Sequence, residues 1–192
     1  MGRVVTEARP AQVHGLLLAA GAGRRMGIPK ALVRDDDGTS WLRRSVSSLR
    51  AGGCGDVTVV LGAAAAEARA LLDDTVRVVV AGDWADGMGA SLRTGLDALE
   101  QGDACVVSLV DLPDVGPDVV GRLLTAGVTT RVLARAAYDG STGHPVLIGR
   151  DHWSGVMASA VGDRGARDYL ADHEVLVVEC GDLATGHDQD RP

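Results

Sequence analysis

The chain contains no phenylalanine, and aromatic residues make up only 3% of its 192 positions. Its core must therefore be built from Val, Leu and Ala. Stacking platforms for single-stranded nucleic acid are not expected. Cysteine is scarce as well: Cys54, Cys105 and Cys180 are far apart, odd in number and form no CxxC pair. That excludes a disulfide framework and a zinc ligand set of the usual spacing. Cys105 and Cys180 lie in apolar runs and read as small core residues of a cytoplasmic protein. No apolar run is long enough to span a bilayer. A surplus of positive charge is also missing: 19 Lys and Arg face 26 Asp and Glu, a net charge of −7. A nucleic-acid partner, which needs a basic footprint, is not expected. A local basic loop can still hold a small anion.

What is present is ordinary globular usage, 46% hydrophobic and 23% charged, which argues against disorder. The length suits one domain, able to bury roughly 70% of its unfolded surface. Residues 1–12 are polar and aperiodic and read as a flexible tail; residues 13–192 read as a single domain. The run GLLLAAGAG (15–23) has the look of a short secretory segment. Glu7 and His14 before it, and Arg24 and Arg25 after it, speak against secretion. Gly2 to Thr6 meets a loose myristoylation pattern that is too short to carry weight.

Val13 to Ala20 predicts a strand buried on both faces, followed by a Gly-rich loop, Gly21 to Lys30. Asp35-Asp36-Asp37-Gly38 predicts a turn, and Thr39 or Ser40 a cap for a helix that runs through Leu49 and stops at Gly52. A rhythm follows: strands at 56–62, 76–82 and 104–111, helices at 63–74 and 89–101, and a helix within 116–127 opened by Pro117. Val-rich strands without alternation, separated by helices, predict a parallel sheet covered on both faces. With right-handed crossovers this is a doubly wound, Rossmann-like α/β fold. Beyond residue 128, two β-prone runs flank a turn at Gly140-Ser141-Thr142-Gly143 and predict a hairpin-like pair. Helical patches at 151–160 and 164–172 and a last strand at 174–180 complete the series, ahead of a polar tail.

In open α/β sheets, ligands bind beyond the carboxyl ends of strands. The loop there reads GAGRRMGIPK (21–30). Its glycines let the backbone approach a ligand and aim amides at it. Arg24, Arg25 and Lys30 add positive charge, so the loop suits phosphates. It is not GxGxxG, because Met26 stands where the last glycine belongs. It is not a P-loop, because Ile28-Pro29 separates Gly27 from Lys30 and Ala31 follows. As bare residues the stretch also reads as a plain βα turn with solvated arginines.

The whole string LAAGAGRRMGIPK (18–30) closely resembles the LAAGxSxRMGxxK signature of MobA-like nucleotidyltransferases. GMGASLRTGL (87–96), SLVDLPDV (108–115), GHPVL (143–147) and GDRGAR (162–167) follow the same family in order and spacing, nearest to its molybdenum cofactor cytidylyltransferase branch. The resemblance runs from Val13 to Asp188. It implies a fold of the nucleotide-diphospho-sugar transferase type, with a mostly parallel sheet and helices on both faces.

The resemblance also implies roles. Backbone amides from Ala20 through Gly21 and Ala22 to Gly23 would hold the phosphates of a nucleoside triphosphate, with Leu18 and Ala19 near the base. Arg25 and Lys30 would neutralise charge growing on the α-phosphoryl oxygens and on pyrophosphate. Gly23 stands where the signature usually has Ser, so a hydroxyl contact is lost. Asp111 ends a strand ahead of Leu112-Pro113 and looks like an Mg²⁺ ligand; as a bare residue it reads as a turn-forming Asp. The family's DxDTPED string corresponds here to Asp182-Leu183-Ala184-Thr185-Gly186-His187-Asp188. Its first Asp makes Asp182 the second expected metal ligand, while Ala184 and Gly186 depart from the pattern. Ser91 reads as a helix cap; the resemblance places it, with Gly95, at the nucleobase. It places His144, Asp163 and Arg167 at the acceptor, although a lone His and a charged helix start also read as structural.

The implied activity is Mg²⁺-dependent transfer of a nucleoside monophosphate, CMP from CTP, to the terminal phosphate of a molybdopterin-type cofactor. A molybdoenzyme would be a receiver of the product. Guanylyl transfer to the same cofactor comes second, and sugar- or polyol-phosphate acceptors third. A non-catalytic nucleotide-binding protein is the alternative of another class.

Overall fold

A computed structural model of the chain describes residues 9–189. Residues 1–8 of the expected tail, with Glu7 and the Gly2–Thr6 pattern, lie outside the described residues, as do the last three positions. The first strand, β1 (Val13–Ala19), is the apolar run that resembles a secretory segment. Its side chains point alternately to two faces. Leu17 and Ala19 join one core cluster, Leu16 and Leu18 the other, and all four are buried. Burial on both faces explains why the run shows no polar alternation.

The next elements follow the rhythm. Helix α1 (Trp41–Ala51) begins at Ser40, whose hydroxyl accepts from the Arg43 amide, and ends at Gly52. Strand β2 (Val57–Leu61) and strand β3 (Arg77–Val80) enclose helix α2 (Ala65–Arg69). That helix is shorter than the 63–74 pattern predicts. Ala64 sits in the left-handed region, and the Asp73 carboxylate takes the Thr75 amide in a local turn. Short polar side chains of this kind draw backbone out of helices. Helix α3 (Met88–Asp97), strand β4 (Ala104–Leu109) and helix α4 (Pro117–Leu124) complete the first half.

Strands β5 (Leu133–Tyr138) and β6 (Ser141–Gly149) pair antiparallel. The reversal falls on Asp139-Gly140, both with positive φ, rather than on 140–143. Asp-Gly suits a tight turn of this hand, so Ser141 and Thr142 already stand in the ladder. Helices α5 (Trp153–Ser159) and α6 (Arg167–Ala171) precede strand β7 (Leu176–Glu179).

The seven strands form one sheet, ordered β3-β2-β1-β4-β6-β5-β7. Among the described strands β6 alone runs against the rest. Core packing assigns α1 and α4 to one face, with Leu42, Leu49, Val120 and Leu123. It assigns α3 and α5 to the other, with Leu92, Leu96, Trp153 and Val156. This is the mostly parallel, doubly wound sheet expected. No helix among the described residues is long and apolar enough to cross a membrane.

Candidate active site

Strands β1 and β4 lie side by side, with Leu18 opposite Leu109 in register. The Val110 amide then donates to the Leu18 carbonyl at 3.2 Å. This pairing brings the two carboxyl ends together, the Gly-rich loop leaving one and Asp111 ending the other.

The loop folds back on itself. The Met26 and Gly27 amides both donate to the Gly23 carbonyl at 2.9 Å, and the Lys30 amide reaches the Gly21 carbonyl at 3.4 Å. Gly23 has φ +59°, and a Cβ there would stand 1.8 Å from the Ile28 carbonyl oxygen. A side chain cannot occupy that space. The glycine in place of the signature's serine is therefore required by this loop conformation. The amides of Gly21, Ala22 and Gly23 donate to no acceptor among the described residues. They remain available to an anion.

The turn at 29–30 brings Lys30 back over the strand ends. Its ammonium is hydrogen-bonded to the Asp111 carboxylate, with both side chains largely shielded from solvent. A cleft of about 360 Å³ opens beside this pair. Leu18 to Ala22 line it together with Lys30 and Asp111, and Ser91 and Asp163 join them. Nine of the expected site residues are thus assembled by strands and helices distant in sequence.

Others are placed elsewhere. Gly23 and Arg25 line a small hollow beside the cleft, shared with Lys30. Arg24, not Arg25, reaches the cleft itself. Ser91 is not a cap: Gly87 is the N-cap of α3, and Ser91 is buried one turn into the helix. Gly95 does not line the cleft. It faces the sheet, where a Cβ would approach Leu16 and Val60 to 2.8 Å, so it is a packing residue for α3. Asp182 has a partner elsewhere. Both its oxygens are taken by the guanidinium of Arg122 on α4, which holds its carboxyl below the usual range. It does not line the cleft with Asp111.

The chain end does reach Asp111 by another route. The Asp114 carboxylate accepts from the amide and hydroxyl of Thr185, both at 2.6 Å. The Gln189 amide then donates to the Asp111 carbonyl at 2.9 Å. Segment 182–189 is therefore a strap laid over the turn that carries Asp111. Ala184 packs with Leu112, Val115 and Tyr138 beneath it. Gly186 has φ +65° and lies against the Tyr138 ring, where a Cβ would come within 2.1 Å.

His144 and Arg167 sit outside the cleft. The Tyr138 hydroxyl donates to the His144 carbonyl at 2.6 Å. Burial, and then the charge of Arg135, push the His144 imidazole down to about 4, so it is neutral at physiological pH. Sequence reasoning missed Trp84, which lines the cleft from the turn before α3, and Met88, which lines it from the first position of that helix. The signal was there: one of three tryptophans lies in the Gly-rich stretch 82–89. It also missed Arg135, a charged residue within the apolar run of β5.

Among the described residues no group of three His, Cys, Asp or Glu could hold a metal ion. A single buried carboxylate beside a phosphate cradle still fits Mg²⁺, which takes few carboxylates, phosphate oxygens and several waters. All three cysteines are buried and free. Burial pushes the Cys54 thiol up to about 12, which suits a core residue rather than a nucleophile.

The profile of the MobA-like NTP transferase domain matches residues 15–177. A protein from Paenarthrobacter nicotinovorans named nicotine blue oxidoreductase is 38% identical over 190 residues, covering 93% of this chain and 92% of its own. A probable molybdenum cofactor guanylyltransferase from Rhodopirellula baltica is 34% identical over 121 residues, covering 62% of this chain and 57% of its own. The crystal structure of Rv0371c from Mycobacterium tuberculosis superposes with a TM-score of 0.79 at 28% identity, over 94% of this chain and 95% of that one. A manganese complex of that protein superposes with a TM-score of 0.75, also at 28% identity, over 93% and 94%.

Proposed function

We propose, from the premise that this chain belongs to the MobA-like NTP transferase family and is a nucleotidyltransferase, that it moves CMP from CTP onto the terminal phosphate of a molybdopterin-type cofactor. The observation that carries the reading is the contact of Lys30 with Asp111 beside a cradle of backbone amides, Gly21 to Gly23, that donate to no acceptor among the described residues. Each member of that pair has a natural exchange partner. A triphosphate oxygen can take the Lys30 ammonium, and a divalent cation can take the Asp111 carboxylate.

In the reaction an oxygen of the acceptor phosphate forms a bond to the α-phosphorus. The bond from that phosphorus to the bridging oxygen breaks, and pyrophosphate leaves with the electron pair. Such transfer needs little covalent work from the protein; positioning and electrostatics dominate. The loop amides orient the triphosphate. Lys30 meets charge that grows on the phosphoryl oxygens, with Arg25 beside it in the neighbouring hollow. Leu18, Ala19 and Ser91 border the nucleobase, with Trp84 as a further wall. His144, Asp163 and Arg167 border the acceptor. Asp111 would hold Mg²⁺, which when bound offsets charge on the pyrophosphate. The mycobacterial protein's manganese complex supports a divalent ion in this fold. Action in the cytoplasm, and delivery of the product to a molybdoenzyme, complete the reading.

GTP is the alternative donor, as the name of the Rhodopirellula relative suggests. A second reading follows from the Paenarthrobacter relative, which is matched over nearly its whole length and is named an oxidoreductase. One experiment separates them: pyrophosphate release from CTP and GTP with Mg²⁺ and a molybdopterin-type acceptor. Release from CTP alone supports the proposal, and release from GTP alone moves the donor. No release from either, with redox turnover of a dye substrate, supports the second reading.

A further inference from the structure

The sheet face that borders the cleft does not end at β4. It continues over β6 and β5, which follow in the strand order. Leu109 of β4 lines the cleft. Val107 of β4, Val146 of β6 and Leu133 of β5 pack into the same cluster, under α3 and α5. Arg135 is two residues beyond Leu133 and stands opposite Val146 in the ladder. Side chains two apart share a face, so Arg135 projects from the cleft side of the sheet. His144 stands where the ladder is irregular, close enough for the charge of Arg135 to act on its imidazole.

Arginine is rarely buried unless paired. Arg135 is partly buried, and its buried Nε has no hydrogen-bond partner. The charged group that acts on it is another cation, Arg167 at the head of α6. The nearby acid Asp168 is already paired with Arg164. The Arg135 guanidinium thus lies near enough to the exposed Arg167 to feel its charge and to act on the neutral His144 imidazole, and no ion pair to a carboxylate holds either arginine among the described residues. A buried guanidinium nitrogen without a hydrogen-bond partner is costly to the fold. Planar guanidinium forks match the geometry of phosphate oxygens and bind them in pairs.

We infer that Arg135, together with Arg167, seats the phosphate of the acceptor, which makes Arg135 an acceptor-binding residue and the acceptor a phosphomonoester. The seat lies on the same sheet face as the cleft, two strands along. His144 contributes a neutral ring there rather than a third charge. That the seated phosphate belongs to the acceptor rests on the transfer reading given above; the existence of the seat does not.

The test uses the whole chain and inorganic phosphate as the probe, with thermal melting and calorimetry as readouts. Phosphate is added in the presence of saturating Mg²⁺ with CTP or GTP, whichever binds, so that the triphosphate cradle is already filled. The parent protein is expected to bind phosphate and to melt higher with it. Arg135→Met is expected to melt higher than the parent without ligand, because a buried nitrogen without a partner is gone. It should also bind phosphate at least tenfold more weakly, while Arg135→Lys retains part of the affinity. Equal phosphate affinity in Arg135→Met overturns the proposal. So does loss of phosphate binding on adding the triphosphate, since the seat would then belong to the donor. A lower melting temperature for Arg135→Met assigns Arg135 a structural role and equally overturns it. If no triphosphate yields pyrophosphate while the phosphate results hold, the transfer reading fails and the seat stands.

Discussion

Lys30 and Asp111 hold each other at the mouth of the cleft, and both are needed by the reaction in other pairings. Lys30→Ala is expected to lower kcat by roughly 100-fold or more, as removal of one preorganised donor does, with a smaller change in KM for the triphosphate. Steady-state pyrophosphate release measures it, and near-parental kcat would remove Lys30 from the chemistry. Gly23 gives a second expectation at this scale. Gly23→Ser restores the signature's residue but sets a Cβ against the Ile28 carbonyl. The variant should bind triphosphate more weakly than the parent, and calorimetry that finds equal or tighter binding contradicts the loop geometry. Lys30, Asp111 and the loop were legible in sequence because they are adjacent to strand ends in a long, specific string. Arg135 was not: one charged residue in an apolar run shows its meaning only when its partners, or their absence, are seen.

The strap at 182–189 is the element in which sequence and structure part most. Asp182, expected from the resemblance to hold a metal, pairs with Arg122. Ala184 and Gly186, departures in sequence, are explained by packing: one lies in the Leu112–Tyr138 cluster, the other against the Tyr138 ring. Gly186→Ala should destabilise the protein by about 1–3 kcal/mol, the usual cost of overpacking with an unfavourable backbone conformation. Denaturant unfolding checks this, and an unchanged midpoint would contradict it. Ala184→Asp should lower the melting temperature without lowering the Mg²⁺ concentration needed for half-maximal activity, because the new carboxylate enters an apolar cluster. Regular elements were readable where burial dictated a period, as in β1, β4 and α4. The strap was unreadable because hydrogen bonds to Asp114 and Asp111 hold it, and these leave no period in the sequence.

Across the whole molecule, the strand order sets the cleft between β1 and β4 and carries the same face on to Arg135. The doubly wound class was legible from alternating Val-rich strands and helices; the reversed strand β6 followed from an Asp-Gly turn one place earlier than the composition suggested. The half-buried His144 links the fold to pH. Its folded value of about 4 lies below the ordinary 6.5, so between these values the unfolded chain binds a proton that the folded chain does not. Stability is therefore expected to fall as pH drops from about 6.5 toward 4, and His144→Gln should flatten that part of the profile. Pyrophosphate release remains the most direct measurement of the central claim. With Mg²⁺ and a molybdopterin-type acceptor, the parent protein should release pyrophosphate from CTP, and Asp111→Asn should release none. Absence of release from every common nucleoside triphosphate, or undiminished metal-dependent release by Asp111→Asn, would contradict it.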